Sequence, residues 1–124
     1  MRNLLKEEIS RIKELLFIKE DEETLGKYMD STYLKTSDEA GISDEETDVI
    51  IFDTIKDAIE HNIKLVMIRP EYVEAARKFI DNKGAKVLVG TVIGFPHGDN
   101  SHADKMDEAI EAIHNGVDEL DFVV

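Results

Sequence analysis

An aspartate stands alone in an apolar run near the end of this sequence, Glu119-Leu-Asp121-Phe-Val-Val124. A second stands in Tyr28-Met-Asp30-Ser-Thr-Tyr-Leu34. A carboxylate inside a strand is expensive unless paired, and a nearby ammonium would make it a tuned acid/base couple. On spacing alone the plainer account of Asp121 is structural: a satisfied strand carboxylate, or a cap at a strand end. Met67 and Arg69 close another apolar run, where Met67 reads as core and Arg69 as a solvated strand-end charge. The loop Gly94-Phe-Pro-His-Gly98 is neither a P-loop nor a dinucleotide fingerprint. His97 and His102 lie near Asp99 and Asp104 but lack a zinc spacing, and read as surface residues. No Ser-His-Asp order suggests a nucleophile elbow.

The elements that must position these residues follow from hydrophobic period. Leu4, Leu5, Ile9, Ile12, Leu15 and Leu16 predict an amphipathic helix over roughly residues 3–19, its stripe packed on the body. Glu20-Asp-Glu-Glu23 breaks that stripe and could open a short helix through Lys27. Tyr28 to Leu34 predicts a first strand, and Lys35 to Ile42 a loop. Ser43-Asp-Glu-Glu46 is a capping box, opening a helix over roughly residues 44–61 with Val49, Ile50, Phe52, Ile55 and Ile59 buried. Lys64 to Arg69 predicts a buried strand. Pro70 suits a first helical turn, and Tyr72, Val73, Ala76, Phe79 and Ile80 mark the helix that follows. Val87 to Ile93 predicts a third strand. Ser101 opens a helix with Met106, Ala109, Ile110 and Ile113 as its stripe, and Gly116 suits a left-handed cap. Leu120 to Val124 predicts a fourth strand. Helix, then β-α-β-α-β-α-β, means a parallel sheet covered by helices. It is either an open doubly wound sheet or a piece of a (β/α) barrel. In both, functional groups gather at the carboxyl ends of the strands.

The totals exclude several classes. At 124 residues this is one domain at most. A net charge of −13 argues against nucleic acid and anionic membranes, because phosphate binding needs a basic footprint. No apolar run is long enough to span a bilayer, and no signal peptide opens the chain. With no cysteine there is neither disulfide nor thiolate chemistry. A cytoplasmic location is the default expectation.

Taken together, some segments carry a resemblance. They are Tyr28-Met-Asp30-Ser-Thr-Tyr-Leu-Lys35, Val66-Met-Ile-Arg-Pro70, Val92-Ile-Gly-Phe-Pro-His-Gly98, and Asn115-Gly116 followed by Asp118-Glu-Leu-Asp121. In type and order they resemble the deoxyribose-phosphate aldolase family, from about residue 25 onward. The resemblance implies a class I aldolase on a TIM barrel, of which these four strands are the first half behind an N-terminal helix. Residues 1–24 would be a helical extension and 25–124 the first four β/α units. The implied reaction joins acetaldehyde and glyceraldehyde 3-phosphate reversibly into 2-deoxyribose 5-phosphate, through a lysine Schiff base and without metal or other cofactor. Asp121 matches the family's acid/base aspartate, which relays protons with a second lysine and water. Asp30 matches its strand-one aspartate, supporting the polar network. Lys35 matches a family lysine but reads as exposed. Ser31 and Tyr33 stand where the family usually has His and Leu, and Arg69 where it has a smaller or uncharged residue.

What is missing matters as much. The family's Schiff-base lysine, helper lysine and phosphate loops lie on strands six to eight, and a full barrel needs about 250 residues. No lysine here matches the nucleophile; Lys64 and Lys86 sit near strand starts, away from the catalytic face. The expectation is a chain inactive alone, and its abrupt end in mid-strand favours a truncated barrel. The other expectation is a non-catalytic half-barrel whose open edges lead it to self-associate or pair with a second chain. The implied partners are a small phosphosugar or aldehyde substrate and a homo-oligomer or edge-paired assembly, with neither nucleic acid nor membrane.

Overall fold

Short runs of Val, Leu and Ile set the sheet. The computed structural model describes residues 2–16 and 25–124. The strands are β1 (Asp30–Tyr33), β2 (Leu65–Ile68), β3 (Leu88–Ile93) and β4 (Glu119–Phe122), all parallel and in the spatial order 1-2-3-4. Helix α1 (Arg2–Leu16) precedes them. A four-residue turn of helix, α2 (Ser37–Ala40), and the long α3 (Asp44–Glu60) join β1 to β2. A 3₁₀ turn at Pro70–Tyr72 leads into α4 (Val73–Asn82), and α5 (His102–His114) joins β3 to β4. The proline opens that turn because its missing N–H is not needed there. The sequence alone left an open sheet and a barrel piece as alternatives. Strands laid side by side in chain order are the arrangement of a barrel segment.

Several local expectations hold. Ser43 caps α3: its hydroxyl accepts from the Glu46 amide and Glu46 accepts from the Ser43 amide. Ser101 accepts from the Asp104 amide at the start of α5, and Gly116 has φ +96° beyond its end. The loop expected at 35–42 instead contains α2, capped by a second box in which Thr36 and Glu39 exchange the same bonds. The expectation of a short helix from Glu20 lies mostly outside the described residues.

In a parallel sheet, residues in register point to one face, and the faces alternate along each strand. Val66, Ile68, Val89 and Ile93 therefore share one face. They pack with Ile51, Ile55, Ala58, Val73, Ala76 and Ile80 of α3 and α4, or with Ala109 and Ala112 of α5, as the cores of this side. Burying a Leu- or Ile-sized side chain contributes roughly 1.5–3 kcal/mol. Thr91 lies in this layer, fully buried, and its hydroxyl donates to the Ile68 carbonyl at 2.7 Å. That bond removes the cost of an unpaired hydroxyl.

Three helix faces differ from expectation. In α3 the inward set is Thr47, Ile51, Ile55 and Ala58, and Val49 is exposed. In α1 Ile9 is buried, but Leu4 and Leu15 are exposed. In α5 only the small Ala109 and Ala112 reach the core, while Met106, Ile110 and Ile113 are 58–60% exposed. In α1 and α5 part of the expected stripe is bare, whereas in α3 the buried face is turned from the expected one and shares only Ile55 with it. A helix with neighbours on one side only buries only part of a wide apolar arc.

Candidate functional site

The face of the sheet away from α3, α4 and α5 carries Asp30, Thr32, Leu65, Met67, Gly90, Val92, Glu119 and Asp121, by the register of the four strands. Gly90 makes this face close: a Cβ there would meet the Met67 Cε at 2.8 Å and the Leu65 Cδ2 at 3.0 Å. Asp30 pairs in register with Leu65 and Asp121 with Val92, which puts them four register rows apart across three strand steps. Strands in an eight-stranded barrel tilt by about one residue per strand. Three of the four rows are then tilt, leaving the two carboxylates about one residue, roughly 3 Å, apart in height. They share a face and nearly a level, with β2 and β3 between them, and do not touch.

The Asp121 side chain is exposed and its carboxylate has no hydrogen bond or ion pair among the described residues, and the same holds for Asp30. The expectation that a strand carboxylate must be paired is met three residues earlier. The Asp118 carboxylate accepts from the Val89 amide at 2.8 Å and from Arg77 at 2.7 Å, fastening the start of β4 to β3 and α4. Asp121 escapes the desolvation cost because β4 is an edge strand open to water.

The carboxyl ends of the first three strands are tied together by Arg69, the residue after β2. Its Nε donates to the Leu34 carbonyl at 2.7 Å, and its guanidinium approaches the Glu39 carboxylate at 3.6 Å. It also lies 5.1 Å from the centre of the Phe95 ring. The side chain is 16% exposed, so the solvated strand-end charge expected from sequence is instead a clamp. The planar, delocalised guanidinium serves all three contacts at once, which a lysine cannot do. Glu39 is held below the usual carboxylate range, first by the Thr36 amide and with help from Arg69.

Phe95 belongs to the loop after β3, which turns tightly through a cis Phe95–Pro96 bond and closes with the Gly98 amide donating to the Gly94 carbonyl at 2.7 Å. Gly98 has φ +72°, and a Cβ there would sit 2.7 Å from the Val124 carbonyl oxygen. The loop therefore leans on the end of β4, just beyond Asp121. An open groove of about 580 Å³ runs from Thr32 and Lys35 to Phe95 and Pro96 across this end. Met67 is half-buried on the same face, and Lys35, His97 and His102 are exposed. Among the described residues no three His, Cys, Asp or Glu side chains are grouped to hold a metal ion. Also among them, no helix is long and apolar enough to cross a membrane.

The fold and site define a half of a parallel (β/α) barrel with free carboxylates on its inner face. No family model matches the chain. Curated relatives do: it is 40% identical over 105 residues to the deoxyribose-phosphate aldolase of Clostridium perfringens, covering 84% of this chain and 42% of the relative. It is 40% identical over 98 residues to that of Staphylococcus carnosus, covering 79% and 40%. A solved protein of Coccidioides immitis described as a deoxyribose-phosphate aldolase superposes with a TM-score of 0.67 at 31% identity, covering 83% of this chain and 37% of that one. The tetrameric deoxyribose phosphate aldolase of Aeropyrum pernix shares the fold, with a TM-score of 0.67 at 24% identity over 82% and 39%. The chain thus resembles the deoxyribose-phosphate aldolases over most of its length, as the first half of their barrel. It spans about two fifths of the length of the curated relatives it matches.

Proposed function

We propose that this chain is the front half of a deoxyribose-phosphate aldolase. It would supply one wall of the active site, with Asp121 as the acid/base group. The observation that carries the reading is the contrast between two nearby aspartates. Asp118 is spent on structure, whereas Asp121 lies on the inner face and its carboxylate has no partner among the described residues. A free carboxylate level with the strand ends is placed to exchange protons with water and with an ammonium brought by a closing half-barrel. In the forward direction of cleavage it would take and return the protons that move as the carbinolamine and Schiff base form and break. Asp30, on the same face, would support the polar floor beneath it. The substrate would be 2-deoxyribose 5-phosphate, or the aldehydes that form it, and the location cytoplasmic. Residues 25–124 would be the four barrel units and 1–24 an extension.

The nucleophilic lysine has no counterpart in these 124 residues, so the chain alone would not turn over. The test is an aldolase assay on the chain alone and together with the remaining length of a matched relative. Turnover by the mixture only, lost in Asp121→Asn, supports the proposal; turnover by the chain alone contradicts it.

The second reading, a non-catalytic half-barrel that associates through its edges, is favoured by the surface beside β4. Phe122 is 47% exposed and lines one groove with the bare Met106, and Ile110 and Ile113 are bare on the same helix as Met106. An unpaired parallel edge with an apolar flank is a surface that pairs.

A further inference from the structure

The opposite end of the sheet, at the strand starts, holds a cavity that neither reading uses. Its volume is about 800 Å³, within the range of small-molecule sites. Lys27, Lys64, Lys83 and Lys86 line it together with the apolar Ile63 and Leu88, and no acidic side chain does among the described residues. Four of the fifteen basic residues of a chain with net charge −13 therefore surround one hollow.

Little neutralises them. Lys27 and Lys86 have no hydrogen bond or ion pair among the described residues. Lys64 reaches Glu119 only at 3.9 Å, with both side chains about half exposed, a contact of little strength. The Lys83 ammonium lies 5.6 Å from the centre of the Phe79 ring, which leaves its charge uncancelled. Like charges around a concavity with low-dielectric walls raise a local positive potential that an anion relieves. A bare anion would leave the wall at Ile63 and Leu88 uncovered; an anion with an apolar or aromatic body covers it.

We propose that this cavity binds a small organic polyphosphate, its phosphates on the four lysines and its body against Ile63 and Leu88. Calorimetric titration of the 124-residue chain tests it, with adenosine triphosphate and inorganic tripolyphosphate as probes. One-to-one binding of adenosine triphosphate is expected, weakened by added salt. Lys27→Glu and Lys86→Glu should each weaken it about tenfold, because each replaces an attraction by a repulsion, while Lys56→Glu on the exposed side of α3 leaves it unchanged. Circular dichroism establishes that each variant is folded, and Lys27→Gln and Lys86→Gln replace any that is not. Absent binding, binding indifferent to Lys27 and Lys86, or binding equally sensitive to Lys56 would overturn the site. Tripolyphosphate binding as tightly as adenosine triphosphate would overturn the role of the apolar wall.

Discussion

At the residue scale the chain separates two uses of a carboxylate. Asp118 accepts two hydrogen bonds and holds β4 in place, so Asp118→Asn should destabilise the fold by about 1.5–3 kcal/mol, seen as a lower denaturant midpoint. The Asp121 carboxylate holds no group among the described residues, so Asp121→Asn should leave that midpoint unchanged. In an assembled, active enzyme the same change should lower kcat roughly a hundred- to ten-thousand-fold, the usual worth of a positioned acid/base group. Tyr72 offers a separate check by pH. Burial, followed by the hydrogen bond to Asp48 at 3.0 Å, pushes its hydroxyl up to about 12 from 10.0. A raised folded value stabilises fully below the unfolded value, and that contribution is lost as pH rises from about 10 to about 12. Ultraviolet titration should find one tyrosine ionising with a value near 12, and Tyr72→Phe should flatten the loss of stability across that window. Both aspartates of the candidate site were visible in the sequence as charges in apolar runs. That Asp118 rather than Asp121 would be the paired one was not, because pairing depends on Arg77, which lies 41 residues away.

At the element scale the chain punctuates itself with caps. Ser43→Ala should cost about 1 kcal/mol by removing a helix cap. Gly98→Ala should cost more. It places a side chain at φ +72° and drives its Cβ against the Val124 carbonyl, so a loss of about 1–3 kcal/mol is expected in urea unfolding. The alternation of strands and helices, the Pro70 turn and the Ser43 cap could all be read from residue type and period. The α2 turn could have been read too. Thr36-Ser-Asp-Glu39 has the same spacing as Ser43-Asp-Glu-Glu46, but no apolar stripe follows it to draw attention. The partly bare faces of α1, α3 and α5 could not have been read. Period reports which residues share a face, and only the neighbours present decide whether that face is covered. Arg69 misled for a related reason. Its partners are a backbone carbonyl, an acid and a ring from two other loops, a convergence that no local pattern encodes.

At the scale of the whole molecule, four strands with two open edges make a sheet that invites completion. Met106, Ile110 and Ile113 form one exposed stripe of α5, and Met106 shares a groove with Phe122 of the edge strand β4. Sizing chromatography should therefore find the chain larger than its 14.1 kDa at high concentration. Ile110→Glu should shift it toward that mass without lowering its helix content, since Ile110 is exposed and makes no part of the core. The central claim is that this half supplies an acid/base carboxylate to a site completed elsewhere. The most direct measurement is deoxyribose-phosphate cleavage by the chain alone, by the chain mixed with the remaining length of a matched relative, and by that mixture carrying Asp121→Asn. Turnover in the second alone is the predicted result. Turnover by the chain alone, or by the mixture regardless of Asp121, would contradict it.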